Sequence, residues 1–153
     1  MSPSIAFHKG EFVPLEQATV GVMTHAFHYG TAVFEGIRGN WNEDHGKVYI
    51  FRLKEHYERL IRGCKILQMD LPYSADQYVD VTIELLQRNG YKQDVYIRPL
   101  AFKSEQLVAN LNLNALESDF GLIIIPFGSY IDNDRAIRCQ TSSWRRPDDS
   151  IMP

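Results

Sequence analysis

The sequence predicts an α+β domain: a mostly antiparallel sheet with two main helices on one face. Two observations carry that expectation. Short β-prone runs come in pairs joined by turn residues, and two amphipathic helical segments follow each other with no strand between them. The first pair is SIAFH and EFV, joined by Lys9-Gly10 and closed by Pro14. The second is GIRGNW and KVYIFR, with the polar NEDHG as its tip. In KEHYERLIRGCKILQM, Tyr57, Leu60, Ile61, Cys64 and Leu67 recur at helical spacing, with Arg59 and Arg62 off the stripe. In SADQYVDVTIELLQRNG, Tyr78, Val81, Leu85 and Leu86 repeat the pattern. Ser74 and Gln77 form a capping box, Tyr73 and Tyr78 a hydrophobic staple, and Asn89-Gly90 a left-handed stop.

Two apolar strands follow, DVYIRPLAF and FGLIIIPF, and the segment between them, KSEQLVANLNLNALESD, reads as a long loop. Pro99 lacks a ladder donor, which predicts an edge or a bulge. AIRCQTSSW alternates Ile137, Cys139 and Thr141 against Arg138, Gln140 and Ser142, the pattern of a half-buried strand. One strand and the polar RRPDDSIMP cannot bury a second core. The expected division is therefore a small domain over 1–131, then a linker and the first strand of a further domain over 132–153.

Composition narrows the function classes. Of 153 residues, 44% are hydrophobic and 23% charged, which is globular rather than disordered. A net charge of −3 offers nucleic acid no basic footprint. No apolar run approaches the ~20 residues of a membrane-spanning helix, and MSPSIAFHKGEF does not read as a signal peptide. The expectation is a soluble cytoplasmic protein. Cys64 and Cys139 are isolated and read as small buried hydrophobes. His25 and His28 share a helical face but lack a third metal ligand nearby.

The polar residues in MTHAFHYGTAVFEGIRG need a reason. Tyr29 and Arg38 bracket Phe34-Glu35-Gly36, either a tight turn with a packed Phe34 or part of a site. Tyr96 and Arg98 in YIRPL share one face of a strand. A guanidinium in an apolar run needs an anion, either an internal carboxylate such as Glu35 or a substrate carboxylate held bidentately. Composition favours the internal pair. Tyr130 adds another phenol at a strand end, and such tyrosines, arginines and phenylalanines suit an apolar pocket with a few polar anchors. Arg59 reads as a solvated helix face, the usual fate of such an arginine, or as a phosphate ligand, and composition alone does not choose.

HYGTAVFEGIRG, then FRLKEHYERL, YIRPL, IPFGSY and SSWRR in this order and spacing, resembles the class IV pyridoxal-phosphate aminotransferases. Within them it is most similar to the bacterial branched-chain amino-acid aminotransferases, over essentially the whole chain. D-amino-acid aminotransferases and aminodeoxychorismate lyases carry a GDGxxE-like segment in place of HYGxxxFEGIR. The loop stretch ANLNLN lacks the family's GV-type turn. The resemblance implies that Arg59 binds the phosphate of pyridoxal 5′-phosphate and that Phe34, Tyr96 and Phe127 line the pocket for a branched side chain. It also implies that Arg98, Tyr29 and Tyr130 accept the distal carboxylate of glutamate, with Arg38 at the edge of the site. The substrates it implies are amino acids and 2-oxo acids, and in the family Tyr29 reaches the neighbouring subunit's pocket, which implies a homodimer.

The family's lysine, which holds the cofactor covalently and moves the substrate proton, belongs after SSWRR. The six lysines at 9, 47, 54, 65, 92 and 103 lie outside the matching motif and read as surface charges. The expectation is the small N-terminal domain of a branched-chain aminotransferase, with no catalytic residue of its own and no activity alone. The alternatives are a non-catalytic dimerisation or carboxylate-binding module, or a D-amino-acid transaminase or lyase relative.

Overall fold

A computed structural model describes residues 4–128, 136–148 and 150. Lys9 and Gly10, at φ 52° and 88°, form the tight turn between β1 (Ile5–His8) and β2 (Glu11–Pro14). A short helix, α1 (His25–Tyr29), stops at Gly30 in the left-handed region. β3 (Ala32–Phe34) follows, then the hairpin of β4 (Ile37–Asn42) and β5 (Lys47–Ile50). The two predicted helices are α2 (Leu53–Ile66) and α3 (Ala75–Asn89). Two nine-residue strands complete the order, β6 (Val95–Lys103) and β7 (Ser118–Pro126), and the loop of residues 104–117 joins them.

The fold is the predicted α+β arrangement. All pairings in the sheet are antiparallel, in the order β2-β1-β7-β6-β4-β5, with β3 also pairing β6. The local signals of α3 hold. Ser74 and Gln77 make the reciprocal capping box, Gly90 closes the helix at φ 63°, and the rings of Tyr73 and Tyr78 meet edge-on at 5.4 Å.

The core lies between the helices and one face of the sheet. Tyr57, Leu60 and Cys64 of α2 and Tyr78 and Leu85 of α3 bury against Val95, Ile97, Phe120, Leu122 and Ile124. Burial raises the Cys64 thiol to about 11, so it packs as a neutral hydrophobe. The buried Thr82 hydroxyl donates to the Tyr78 carbonyl (2.7 Å), so its oxygen accepts from the Tyr57 phenol (2.5 Å). That bond satisfies the Tyr57 phenol between the two helices, while the buried Tyr78 hydroxyl has no hydrogen-bond partner among the described residues.

Four expectations need correction. β6 is not an edge strand: β7 pairs along one side, and β3 and β4 share the other. The ladder bond Pro99 cannot donate falls at the break between β3 and β4, where Glu35 N–H donates to the Pro99 carbonyl at 3.1 Å. Residues 136–142 form no strand and are exposed, because no sheet edge among the described residues pairs with them; Cys139 is exposed with them. Lys103 is not a surface charge. Its side chain is 1% exposed, and Nζ donates to the carbonyls of Gln68 (2.7 Å) and Leu116 (3.1 Å), tying the end of α2 to the end of the loop. Burial lowers its pKa.

Candidate functional site

Alternation along β6 sorts its residues by face. Val95, Ile97 and Ala101 turn to the helices, while Tyr96 and Arg98 lie on the opposite face. Register places Arg38 across from Tyr96 and Phe34 across from Leu100, on that same opposite face. Sheet pairing thus brings together residues separated by some sixty positions in sequence. Gly36 permits the approach, since a Cβ there would meet the Tyr96 hydroxyl at 2.7 Å.

Arg98 is the centre of this cluster. Its Nη2 donates to the Tyr96 hydroxyl at 2.5 Å, and its guanidinium carbon lies 4.1 Å from the Phe34 ring centre and 5.1 Å from that of Tyr96. Nε is buried with no hydrogen-bond partner among the described residues. Tyr96 stands 5.2 Å from Phe127, and the Arg38 guanidinium lies 5.7 Å over the Phe127 ring. Arg38 donates to Asp94 at 2.8 Å, which, with the Trp41 N–H, holds that carboxyl below its ordinary range.

The internal Glu35–Arg98 pair favoured by composition does not form, and the register shows why. Glu35 falls opposite Pro99, so its side chain shares the helix-facing side while Arg98 takes the other. Glu35 accepts instead from Arg59 Nε and Nη2, both at 2.6 Å, and from His56 Nδ1 at 3.0 Å. Its side chain is 7% exposed, that of Arg59 63%. Burial pushes the Glu35 pKa up, but the Arg59 and His56 hydrogen bonds outweigh it and the net shift is downward. Arg59 is raised, chiefly by the same bond.

A depressed carboxyl stabilises the fold above its unfolded pKa, and the effect is lost as pH falls through the folded value. Glu35→Gln is therefore expected to lower stability at pH 7 by about 1 kcal/mol, a small cost because Arg59 is mostly solvated. The gap between the two proteins should close below the ordinary carboxyl range near 4.5. Urea titrations at pH 7 and pH 3 check this, and an equal gap at both would refute it.

Tyr29 lies outside the Arg98 cluster in this chain: its hydroxyl accepts from the Ala109 N–H at 2.8 Å, and its ring stacks on His25. Tyr130 lies outside the described residues. Sequence reasoning missed Glu35 and His56 as the holders of Arg59, although His56, three residues before Arg59, was a local signal. It also missed Asp94, which only β4–β6 pairing brings to Arg38.

An anion fits what is present. Arg98 has an orphaned buried donor beside two aromatic rings, suited to a carboxylate with an apolar body. Arg59 spends Nε and Nη2 on Glu35 and keeps an exposed guanidinium edge, suited to a phosphate.

Comparison with known proteins follows the same lines. The family described as Amino-transferase class IV matches residues 32–152. A probable branched-chain-amino-acid aminotransferase of Aquifex aeolicus is 43% identical over 152 residues, covering 99% of this chain and 49% of that protein. The Escherichia coli K12 branched-chain-amino-acid aminotransferase is 33% identical over 147 residues, covering 94% of this chain and 47% of that one. Among solved structures, the branched-chain aminotransferase of Thermoproteus uzoniensis with norvaline has a TM-score of 0.88 at 38% identity, over 97% of this chain and 49% of that one. The branched-chain amino acid aminotransferase of Thermobaculum terrenum in its PLP-form has 0.84 at 32%, over 99% and 49%. The chain spans about half the length of the curated relatives it matches.

Proposed function

Because the chain belongs to the class IV aminotransferases, we propose that it forms the small domain of a branched-chain amino-acid aminotransferase. That enzyme moves the amino group of leucine, isoleucine or valine to 2-oxoglutarate. One observation carries the proposal: Arg98 is half-buried against Phe34 and Tyr96, has no carboxylate partner among the described residues, and keeps an unpaired donor. Burying a guanidinium without an anion is costly, so the arrangement makes sense when a substrate supplies the carboxyl group. Phe34, Tyr96 and Phe127 then line the slot for the branched side chain, with Arg38 at its edge. Tyr29 and Tyr130 join Arg98 in accepting the distal carboxylate of glutamate.

Pyridoxal 5′-phosphate is the cofactor of this reading, and when bound it supplies the electron sink for transamination. Arg59, braced by Glu35 and His56, holds its phosphate. None of the chain's lysines is assigned to the chemistry. Lys9 and Lys54 pair with Asp119 and Asp76, and Lys103 is buried against two carbonyls. The catalytic lysine of the reading lies in the half of the relatives beyond the matched span, with residues 1–131 as one domain and 132–153 leading into the next. The enzyme is read as a cytoplasmic homodimer. Val20, Val22, Met23 and Phe27, all exposed around α1, suit the dimer surface. No helix among the described residues is long and apolar enough to cross a membrane.

The expected result is no turnover of leucine with 2-oxoglutarate by the 153-residue chain supplied with pyridoxal 5′-phosphate. Fusing it to the second half of the Aquifex aeolicus relative should produce turnover. Turnover by the chain alone overturns the division of labour. A folded, cofactor-loaded fusion that transfers no amino group overturns the aminotransferase reading.

A further inference from the structure

The loop of residues 104–117 is held at its tip by α1 in a way the substrate contacts above do not require. His25, on α1, is completely buried with both ring nitrogens engaged. Nε2 lies 2.8 Å from the Asn110 carbonyl, which only accepts, so Nε2 carries the proton. In the neutral imidazole Nδ1 is then the acceptor, and the buried Thr31 hydroxyl donates to it at 2.9 Å. The imidazole stacks on the Tyr29 ring, with centres 4.4 Å apart and planes 26° from parallel. The Tyr29 hydroxyl accepts from the N–H of Ala109, the residue before Asn110. The ends of the loop are secured by backbone bonds, His25 N–H to Glu105 at 2.9 Å and Ser104 N–H to Glu117 at 3.0 Å. The tip at 109–110 is secured by two side chains of α1, and Ala109 is kept there in the left-handed region at φ 63°.

The direction of these bonds matters chemically. An amide N–H uses only a lone pair of the phenol oxygen, so the proton of Tyr29 stays available to an outside acceptor. The side chain is 43% exposed on a helix of five residues, and its stack and its bond to the tip are what fix its direction. We infer that His25 is a positioning residue that locks Tyr29 and the 109–110 tip into one piece, aiming the Tyr29 O–H at the carboxylate of an amino-acid or oxo-acid substrate. This rests on the reading of Tyr29 as a substrate contact. His25 itself touches no reacting atom.

The test has two readouts. In the 153-residue chain, amide hydrogen exchange is followed by NMR at Ala109, with Ile97 in the sheet as reference. His25→Phe keeps a stacking ring but loses both hydrogen bonds, and Thr31→Val removes only the donor to Nδ1. His25→Phe should speed exchange at Ala109 about tenfold or more with Ile97 unchanged, Thr31→Val should do so to a smaller degree, and His25→Gln, which retains a donor for Asn110, should recover part of the protection. Unchanged protection of Ala109 in Thr31→Val and in a folded His25→Phe overturns the clamp; if His25→Phe does not fold, Thr31→Val decides. In the Aquifex fusion, His25→Phe should raise KM for 2-oxoglutarate about fivefold or more and leave kcat within about twofold. A fall in kcat alone, or no change in either constant, overturns the positioning role. Should a folded, cofactor-loaded fusion with His25 intact be inactive, the aminotransferase reading is what fails, and the exchange data still decide whether His25 holds the tip.

Discussion

Replacing Arg98 by methionine is expected to lower kcat/KM for 2-oxoglutarate about 100-fold or more in the Aquifex fusion, and to lower that for leucine less than tenfold. The guanidinium sits on Phe34 and beside Tyr96, where water is partly excluded, so its bonds to a carboxylate are worth more than at an open surface. Truncating one partner of such a pair costs about 2–5 kcal/mol, and about 2.7 kcal/mol already corresponds to 100-fold. The branched side chain of leucine brings no second charge, so it loses less. Methionine keeps an unbranched apolar stem over the Phe34 ring, and no ion pair among the described residues is broken, so thermal stability should change little. Stopped-flow half-reactions with each substrate measure the difference. Equal losses on both substrates, or a collapse of stability, would remove Arg98 from the role assigned to it.

Leu122→Ala should lower the unfolding free energy by about 3 kcal/mol, whereas Ile125→Ala, three residues along the same strand, should cost less than about 1 kcal/mol. Leu122 is 0% exposed and belongs to the core under the helices, while Ile125 is 38% exposed on the opposite face beside Tyr96. Emptying the first site leaves a cavity between rigid elements; trimming the second removes atoms already in contact with solvent. For a chain of this size the first change shifts the melting temperature by roughly 10 °C. Urea unfolding of the 153-residue variants gives both values. Comparable losses would mean that both faces of the sheet are packed, and the site face would not be open to a ligand.

Local chemistry was legible wherever it was self-contained. The Lys9-Gly10 turn and the capping box at Ser74 are satisfied within a few residues, so no distant partner can overrule them. The stripe through Tyr57, Leu60 and Cys64 declared its face by period alone. Pro99 misled because its missing donor is harmless inside a sheet if the neighbouring strand breaks opposite it, and that break lies more than sixty residues earlier in sequence. Lys103 misled because lysines usually stay solvated, and the two carbonyls that accept from it come from separate segments.

The same boundary runs through the candidate site. The motifs HYGTAVFEGIRG, EHYERL and YIRPL determined by themselves the family and the residue types gathered for anions, because composition and order survive without coordinates. Which carboxylate meets which arginine was decided only by tertiary structure. Side chains alternate between the faces of a strand, so pairing Glu35 with Pro99 sends Glu35 to Arg59 and His56 and leaves Arg98 on the other side with Phe34 and Tyr96. A slip of one residue in that pairing would have exchanged the two outcomes, and register is a property of two strands at once.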